Sequence, residues 1–132
     1  MLQKIILIAI AGFVILHGLV HLIGFRVYAQ GVDMAEMPYK TSLLNGSLEL
    51  GQQGAQVFGL LWLLPSAGFV LAGIGLFLGA NWWQPVIIAS GLASLALTGL
   101  DWAYAFRGTL IDAAILGAML LTPVISRLGF AV

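Results

Sequence analysis

The sequence contains no cysteine and very few charged residues. Without cysteine the chain can form neither disulfides nor thiolate nucleophiles, and Cys-ligated zinc sites and iron–sulfur clusters are excluded. Only 8% of the 132 residues are Asp, Glu, Lys or Arg, against about 25% in ordinary globular domains. Five basic and five acidic side chains cannot cover a folded surface in water. The formal net charge of zero also argues against a nucleic-acid partner.

Apolar residues make up 61% of the chain, and the mean hydropathy is +1.08. About 20 apolar residues are needed for a helix to cross a bilayer, and four segments qualify: residues 5–28, 56–78, 83–106 and 110–127. Pro65 should kink the second of them. The sequence therefore predicts one all-α domain over residues 1–132, an integral membrane four-helix bundle.

Residues 29–54 form the only long polar connection, which we expect to cap the bundle. Within it, Asn45 and Gly46 stand between short apolar flanks, a strong signal for a tight β-hairpin. The other connections, predicted near residues 79–82 and at Arg107-Gly108, are only a few residues long. Short connections make consecutive helices antiparallel neighbours.

The antiparallel order brings the candidate functional residues into one half of the bundle. Ionisable side chains at membrane depth are costly and usually face the bundle interior or water. We therefore expect ligand-binding or proton-relay residues among this set: His17, His21, Arg26, Tyr39, Lys40, Asp101, Arg107 and Asp112.

His17 and His21 are four residues apart, so both side chains lie on one face of the first helix. Such a pair can bind a metal ion, with Asp101 or Asp112 as a third ligand. It can equally carry protons, bind a polar ligand or form structural hydrogen bonds between helices. The spacing does not choose among these interpretations. It predicts no catalytic residue, and the cofactor is unknown.

The two carboxylates have different expected environments. Asp101 lies near a helix C-terminus, where the helix dipole disfavours an anion, so we expect it to pair with Arg26 or Arg107. Thr109 to Asp112 resembles a capping box at the start of the fourth helix, which favours a capping role for Asp112.

Three stretches carry a family resemblance: HGLVHLIGF at His17–Phe25, MPYKTSLLNG from Met37, and GLLWLL at Gly59–Leu64. Together they resemble a family of small uncharacterised bacterial four-span membrane proteins. This resemblance implies that His17, His21, Pro38, Tyr39 and Lys40 are family features, without implying a reaction. In size and topology the chain is more distantly similar to DoxX-type four-helix membrane proteins.

The expected function is non-enzymatic: a binding or accessory subunit for a lipid-like ligand, a quinone or a partner membrane protein. One alternative is a small proton- or metal-coupled transporter that uses His17, His21 and Asp101. Another is a cofactor-binding component of a membrane oxidoreductase. We expect a multi-pass protein of the cell inner membrane with its termini in the cytoplasm. Its partners would be the bilayer and either further copies of itself or other membrane subunits.

Overall fold

The computed structural model describes residues 1–127, most of which are helical. Within this part of the chain, four helices are long and apolar enough to cross a membrane, as the sequence predicts. They are α1 (Leu2–Ala29), α2 (Gly51–Leu78), α3 (Trp83–Leu100) and α4 (Trp102–Arg127).

The first two helices are irregular near the polar connection. In α1, regular helix over Leu2–Val20 and Leu22–Gly24 gives way to a π-helical turn at Phe25–Ala29. In α2, the segments Gly51–Leu61 and Leu63–Leu78 meet at Trp62. Proline lacks an N–H donor and clashes with the carbonyl one turn earlier. The interruption at Trp62 therefore has its cause in Pro65.

The boundary between the last two helices differs from the prediction. α3 ends at Leu100 and α4 begins at Trp102, so the predicted spans 83–106 and 110–127 and the connection at Arg107-Gly108 are wrong. The chain turns at Asp101, whose backbone leaves the helical region (φ −109°, ψ 35°). Gly108 lies inside α4 instead, where its missing side chain permits close contact with Thr98 of α3.

Helices that follow each other in the chain pack side by side, α1 with α2, α2 with α3 and α3 with α4. Gly18 of α1 lies against Phe69 of α2, whereas Ala11, which comes earlier in α1, lies against Gly73. Residue numbers thus rise along α1 as they fall along α2. Bulky side chains at these glycines would push the helices apart, which explains small residues at the contact.

The same opposed order holds for the other two pairs. Gly75 of α2 lies against Trp83 at the start of α3, and Gly91 of α3 lies against Leu116 of α4. Within residues 1–127, α1 and α4 have no comparable backbone contact. The side of the molecule between α1 and α4 is therefore held together mainly by side-chain contacts.

The polar connection, residues 30–50, contains the predicted hairpin. Strands β1 (Ser42–Leu43) and β2 (Leu48–Glu49) pair antiparallel, with Leu43 opposite Leu48. The turn between them spans four residues rather than two, and Asn45 adopts the left-handed conformation (φ 55°). Asn tolerates this conformation better than most residues. Leu43 is buried against the loop-side ends of the helices, so the hairpin caps the core.

Candidate functional site

Three helices bring four polar side chains together in the interior. His17 and His21 come from α1, Ser94 from α3 and Asp112 from α4, and all four are buried. The helical spacing of the two histidines puts both rings on the face that packs against Phe69 of α2. The structure thus joins His17, His21 and Asp112, which the sequence analysis proposed as candidates, and adds Ser94.

Hydrogen bonds connect this His–Ser–Asp cluster into one chain. His17 Nε2 lies 2.8 Å from Asp112 Oδ1. The other carboxylate oxygen, Oδ2, lies 2.5 Å from Ser94 Oγ, which lies 2.5 Å from His21 Nε2. The order along the chain is therefore His17, Asp112, Ser94, His21.

The remaining nitrogen of His21 limits where the protons of the cluster can lie. Nδ1 lies 2.8 Å from the backbone carbonyl of His17, which can only accept, so Nδ1 carries a hydrogen and donates it. Ser94 has a single hydrogen but makes two hydrogen bonds, one to Asp112 and one to His21. A second proton must therefore reside on His21 Nε2 or on Asp112 Oδ2. Either way the His21 and Asp112 side chains together are neutral, which suits their burial.

The same cluster has the composition of a metal site. One ligand atom from each of His17, His21 and Asp112 lies within 4.8 Å of the others. Two imidazoles and a carboxylate are the ligands of many three-residue zinc sites.

A cavity of about 520 Å³ lies next to the cluster, between α1 and α4. His17 and His21 form part of its wall, and most of the remaining wall is apolar. Glu36 of the connection and Arg107 of α4 also line it. Trp62, at the break in α2, contributes its indole, whose buried N–H has no hydrogen-bond partner among the described residues.

Asp101 belongs to a separate group at the turn between α3 and α4. Its fully buried carboxylate accepts a 2.6 Å hydrogen bond from the Tyr28 hydroxyl and pairs with the Lys40 ammonium. Lys40 also lies over the ring of Tyr104, 4.3 Å from its centroid. The expected ion pair exists, but the prediction of Arg26 or Arg107 as the partner is wrong. The acidic neighbour of the histidines is Asp112 rather than Asp101.

The other predicted site residues lie outside the His–Ser–Asp cluster. Arg26 is exposed, and its guanidinium pairs with no described residue. Arg107 is exposed at the cavity wall, near the ring of Phe106. Tyr39 accompanies Lys40 in the connection, where its backbone N–H donates to Asp33.

Asp112 does not cap a helix, because α4 begins at Trp102 and the carboxylate lies well inside that helix. The capping interpretation depended on a helix start near Thr109 and is wrong. Ser94 is one of three hydroxyl residues at helical spacing along α3, with Ser90 and Thr98, a pattern that by itself favours helix packing. Only Ser94 joins the cluster, since Ser90 and Thr98 bond to backbone carbonyls of their own helix.

No protein-family model matches the chain, and neither a curated protein nor a solved structure shows significant similarity to it. The geometry of the cluster and the cavity therefore has to support any function assigned to the protein.

Proposed function

We propose that the protein is an integral membrane protein of the bacterial inner membrane, an antiparallel four-helix bundle with its termini in the cytoplasm. We further propose that it binds a lipid-like molecule, such as a quinone, in the cavity between α1 and α4. The four apolar helices and their opposed contacts support the membrane bundle. The cavity beside the buried histidines is the observation that carries the binding function.

The size and lining of the cavity suit an amphipathic ligand. Its volume of about 520 Å³ falls in the usual range of small-molecule sites, about 300–1,000 Å³. Such sites are mostly apolar with a few polar groups that orient the ligand. Here the two histidines provide those groups.

Access from the lipid phase follows from the open side of the bundle. Leu16 and Val20 of α1 and Phe106 of α4 line the cavity and are also exposed. A molecule dissolved in the bilayer can therefore enter between the two helices. Glu36 and Arg107 contribute one negative and one positive charge to the wall, which favours a neutral or zwitterionic head group.

The test compares two tryptophan variants on neighbouring positions of α4. Ile111 lines the cavity, whereas Leu110 is exposed and does not line it. Protein purified in nanodiscs made from host lipids is extracted with organic solvent, and the extract is analysed by mass spectrometry. We expect one molecule enriched over bulk lipid in the wild type and in Leu110→Trp, and lost in Ile111→Trp. An identical lipid profile for all three proteins would refute ligand binding in this cavity.

A further inference from the structure

We propose that His17, His21 and Asp112 form a binding site for one divalent transition-metal ion of the Zn²⁺ class. The site does not depend on the lipid-like ligand, and each proposal can fail alone. One possible ligand atom from each residue lies within 4.8 Å of the others. The metal ligands would be Nε2 of both histidines, which are the nitrogens directed at the cluster, and one carboxylate oxygen of Asp112.

The distances are compatible with a metal after small side-chain movements. Zinc–nitrogen bonds of about 2.0–2.1 Å place tetrahedral ligand atoms about 3.3 Å apart. His17 Nε2 and Asp112 Oδ1 are already 2.8 Å apart. The widest pair must approach by at most about 1.5 Å, which rotation of the imidazole and carboxylate groups can supply.

The hydrogen bond on the far side of His21 is the arrangement that metal-binding histidines usually show. Its Nδ1–H donates to the carbonyl of His17, which orients the ring and leaves Nε2 directed at the cluster. Metal-ligating histidines almost always donate their second nitrogen to a carbonyl, a carboxylate or water in this way. The outer support for one ligand is therefore present in the fold.

Charge balance also favours a cation at this point. The bonds around Ser94 require one proton more than neutral imidazoles and a carboxylate provide. A metal ion bound to His21 and Asp112 would take the place of that proton. With two neutral imidazoles and one carboxylate as ligands, a divalent ion gives the site a net charge of +1. One tetrahedral position of the ion remains free. Since His17 and His21 line the cavity, that position faces a space where a small anion or water can bind.

The ligand types identify the class of metal. Imidazole nitrogen suits Zn²⁺ and its first-row neighbours, whereas Mg²⁺ and Ca²⁺ prefer sites made of oxygen atoms only. The chain has no cysteine and only these two histidines. No other described group of three such residues comes together in residues 1–127.

The test titrates chelator-treated, full-length protein in detergent with Co²⁺, after purification through a tag without histidine. We expect about one Co²⁺ per chain, visible absorption bands of tetrahedral Co²⁺, and their loss when Zn²⁺ is added. Mg²⁺ should not displace Co²⁺. Wild-type protein that binds no stoichiometric Co²⁺ or Zn²⁺ would overturn the proposal.

Variants locate the site. His21→Gln and Asp112→Asn retain hydrogen-bonding side chains, and each should weaken binding by at least about 100-fold, since loss of an outer-shell partner alone costs about 10–100-fold. Glu49→Gln removes an exposed carboxylate of β2 and should bind as the wild type does. Equal binding by all four proteins would place the ion elsewhere and refute the assignment. If a variant fails to fold, as judged by its melting curve, the other variant and the wild-type titration decide.

Discussion

Two buried aspartates illustrate two ways in which this chain accommodates a carboxylate among apolar helices. Asp101 is neutralised by the Lys40 ammonium and accepts from Tyr28. Asp112 has no lysine or arginine partner among the described residues; it contacts His17 directly and His21 through the Ser94 hydroxyl. The first arrangement ties the polar connection to the helices. The second leaves the carboxylate available for a proton or a metal ion, which is why it is the better functional candidate.

Loss of the Asp101 charge should destabilise the protein. Asp101→Asn would leave Lys40 partly buried without a counter-charge, since its side chain is only 21% exposed. Breaking a buried pair costs about 3–5 kcal/mol. Because Lys40 can reach water, we expect about 2–3 kcal/mol in chemical denaturation in detergent. Lys40→Met combined with Asp101→Asn should cost less than the two single changes added together. Additive costs would show that the pair contributes nothing.

Ser94 should be coupled energetically to His21. Ser94→Ala removes the hydroxyl that connects His21 to Asp112, and we expect a loss of about 1–2 kcal/mol. His21→Gln should cost a similar amount. Since both changes break the same hydrogen bond, the double variant should cost clearly less than the sum. Denaturation curves of the three variants and wild type provide the comparison, and strict additivity would contradict the connected chain.

At the scale of helices, close contact through glycine determines how α1 meets α2. A Cβ placed on Gly18 would lie 2.9 Å from both Phe69 Cβ and the Ser66 carbonyl oxygen. The carbonyl is backbone, so it can yield only if the helices separate. Gly12, on the same helix, has nothing within 4 Å of its Cβ position. These two glycines offer a matched test of the contact.

We expect Gly18→Ala to lower the free energy of unfolding and Gly12→Ala not to lower it. Gly18→Ala should destabilise by about 1–3 kcal/mol, as overpacking does in a filled interior. Gly12→Ala should be neutral or stabilise by up to about 1 kcal/mol, because alanine favours the helix. Thermal unfolding in detergent can rank the two against wild type. Equal stabilities would mean that the α1–α2 contact is looser than the structure shows.

The sequence predicted the elements better than their ends. The four apolar helices and the Asn45-Gly46 hairpin follow from hydropathy and turn preference, which are local properties. The position of the turn between α3 and α4 does not follow from these properties. The chain turns at Asp101, which is neither glycine nor proline. Arg107-Gly108 looked like the turn, yet glycine there serves the contact with Thr98. Local pattern cannot distinguish these two uses of glycine.

The misplaced turn also explains which neighbouring side chains could be predicted from the sequence. His17 and His21 share a face by spacing alone, so their proximity was predictable. The partners of Asp101 and Asp112 depend on which side of a turn each residue lies and on how the polar connection folds back. Lys40 is 61 positions from Asp101 in the chain, and no periodic pattern connects such residues. Only the three-dimensional packing pairs them.

At the scale of the whole molecule, the four helices do not form a closed ring. Consecutive helices are in contact, whereas α1 and α4 are separated by the cavity and meet chiefly through His17 and Asp112. The polar cluster therefore has two roles. It holds the open side of the molecule together, and its two histidines present polar groups to the cavity between α1 and α4.

The membrane topology can be tested because the chain has no native cysteine. If four helices cross the membrane, the hairpin and the α2–α3 connection lie on opposite sides. Single cysteines are placed in the hairpin by Ser47→Cys, in the α2–α3 connection by Asn81→Cys and near the N-terminus by Gln3→Cys. Ser47 is preferable to Gly46, whose φ of +88° would strain a cysteine.

In intact cells with a permeable outer membrane, a membrane-impermeant maleimide should label Ser47→Cys and leave the other two unlabelled, since we propose cytoplasmic termini. After lysis all three should react, which controls for buried or unreactive thiols. Labelling of Asn81→Cys and Gln3→Cys but not of Ser47→Cys would retain the four-span bundle and reverse its orientation. If Ser47→Cys and Asn81→Cys are labelled from the same side, α2 does not cross the membrane and the four-span proposal is wrong.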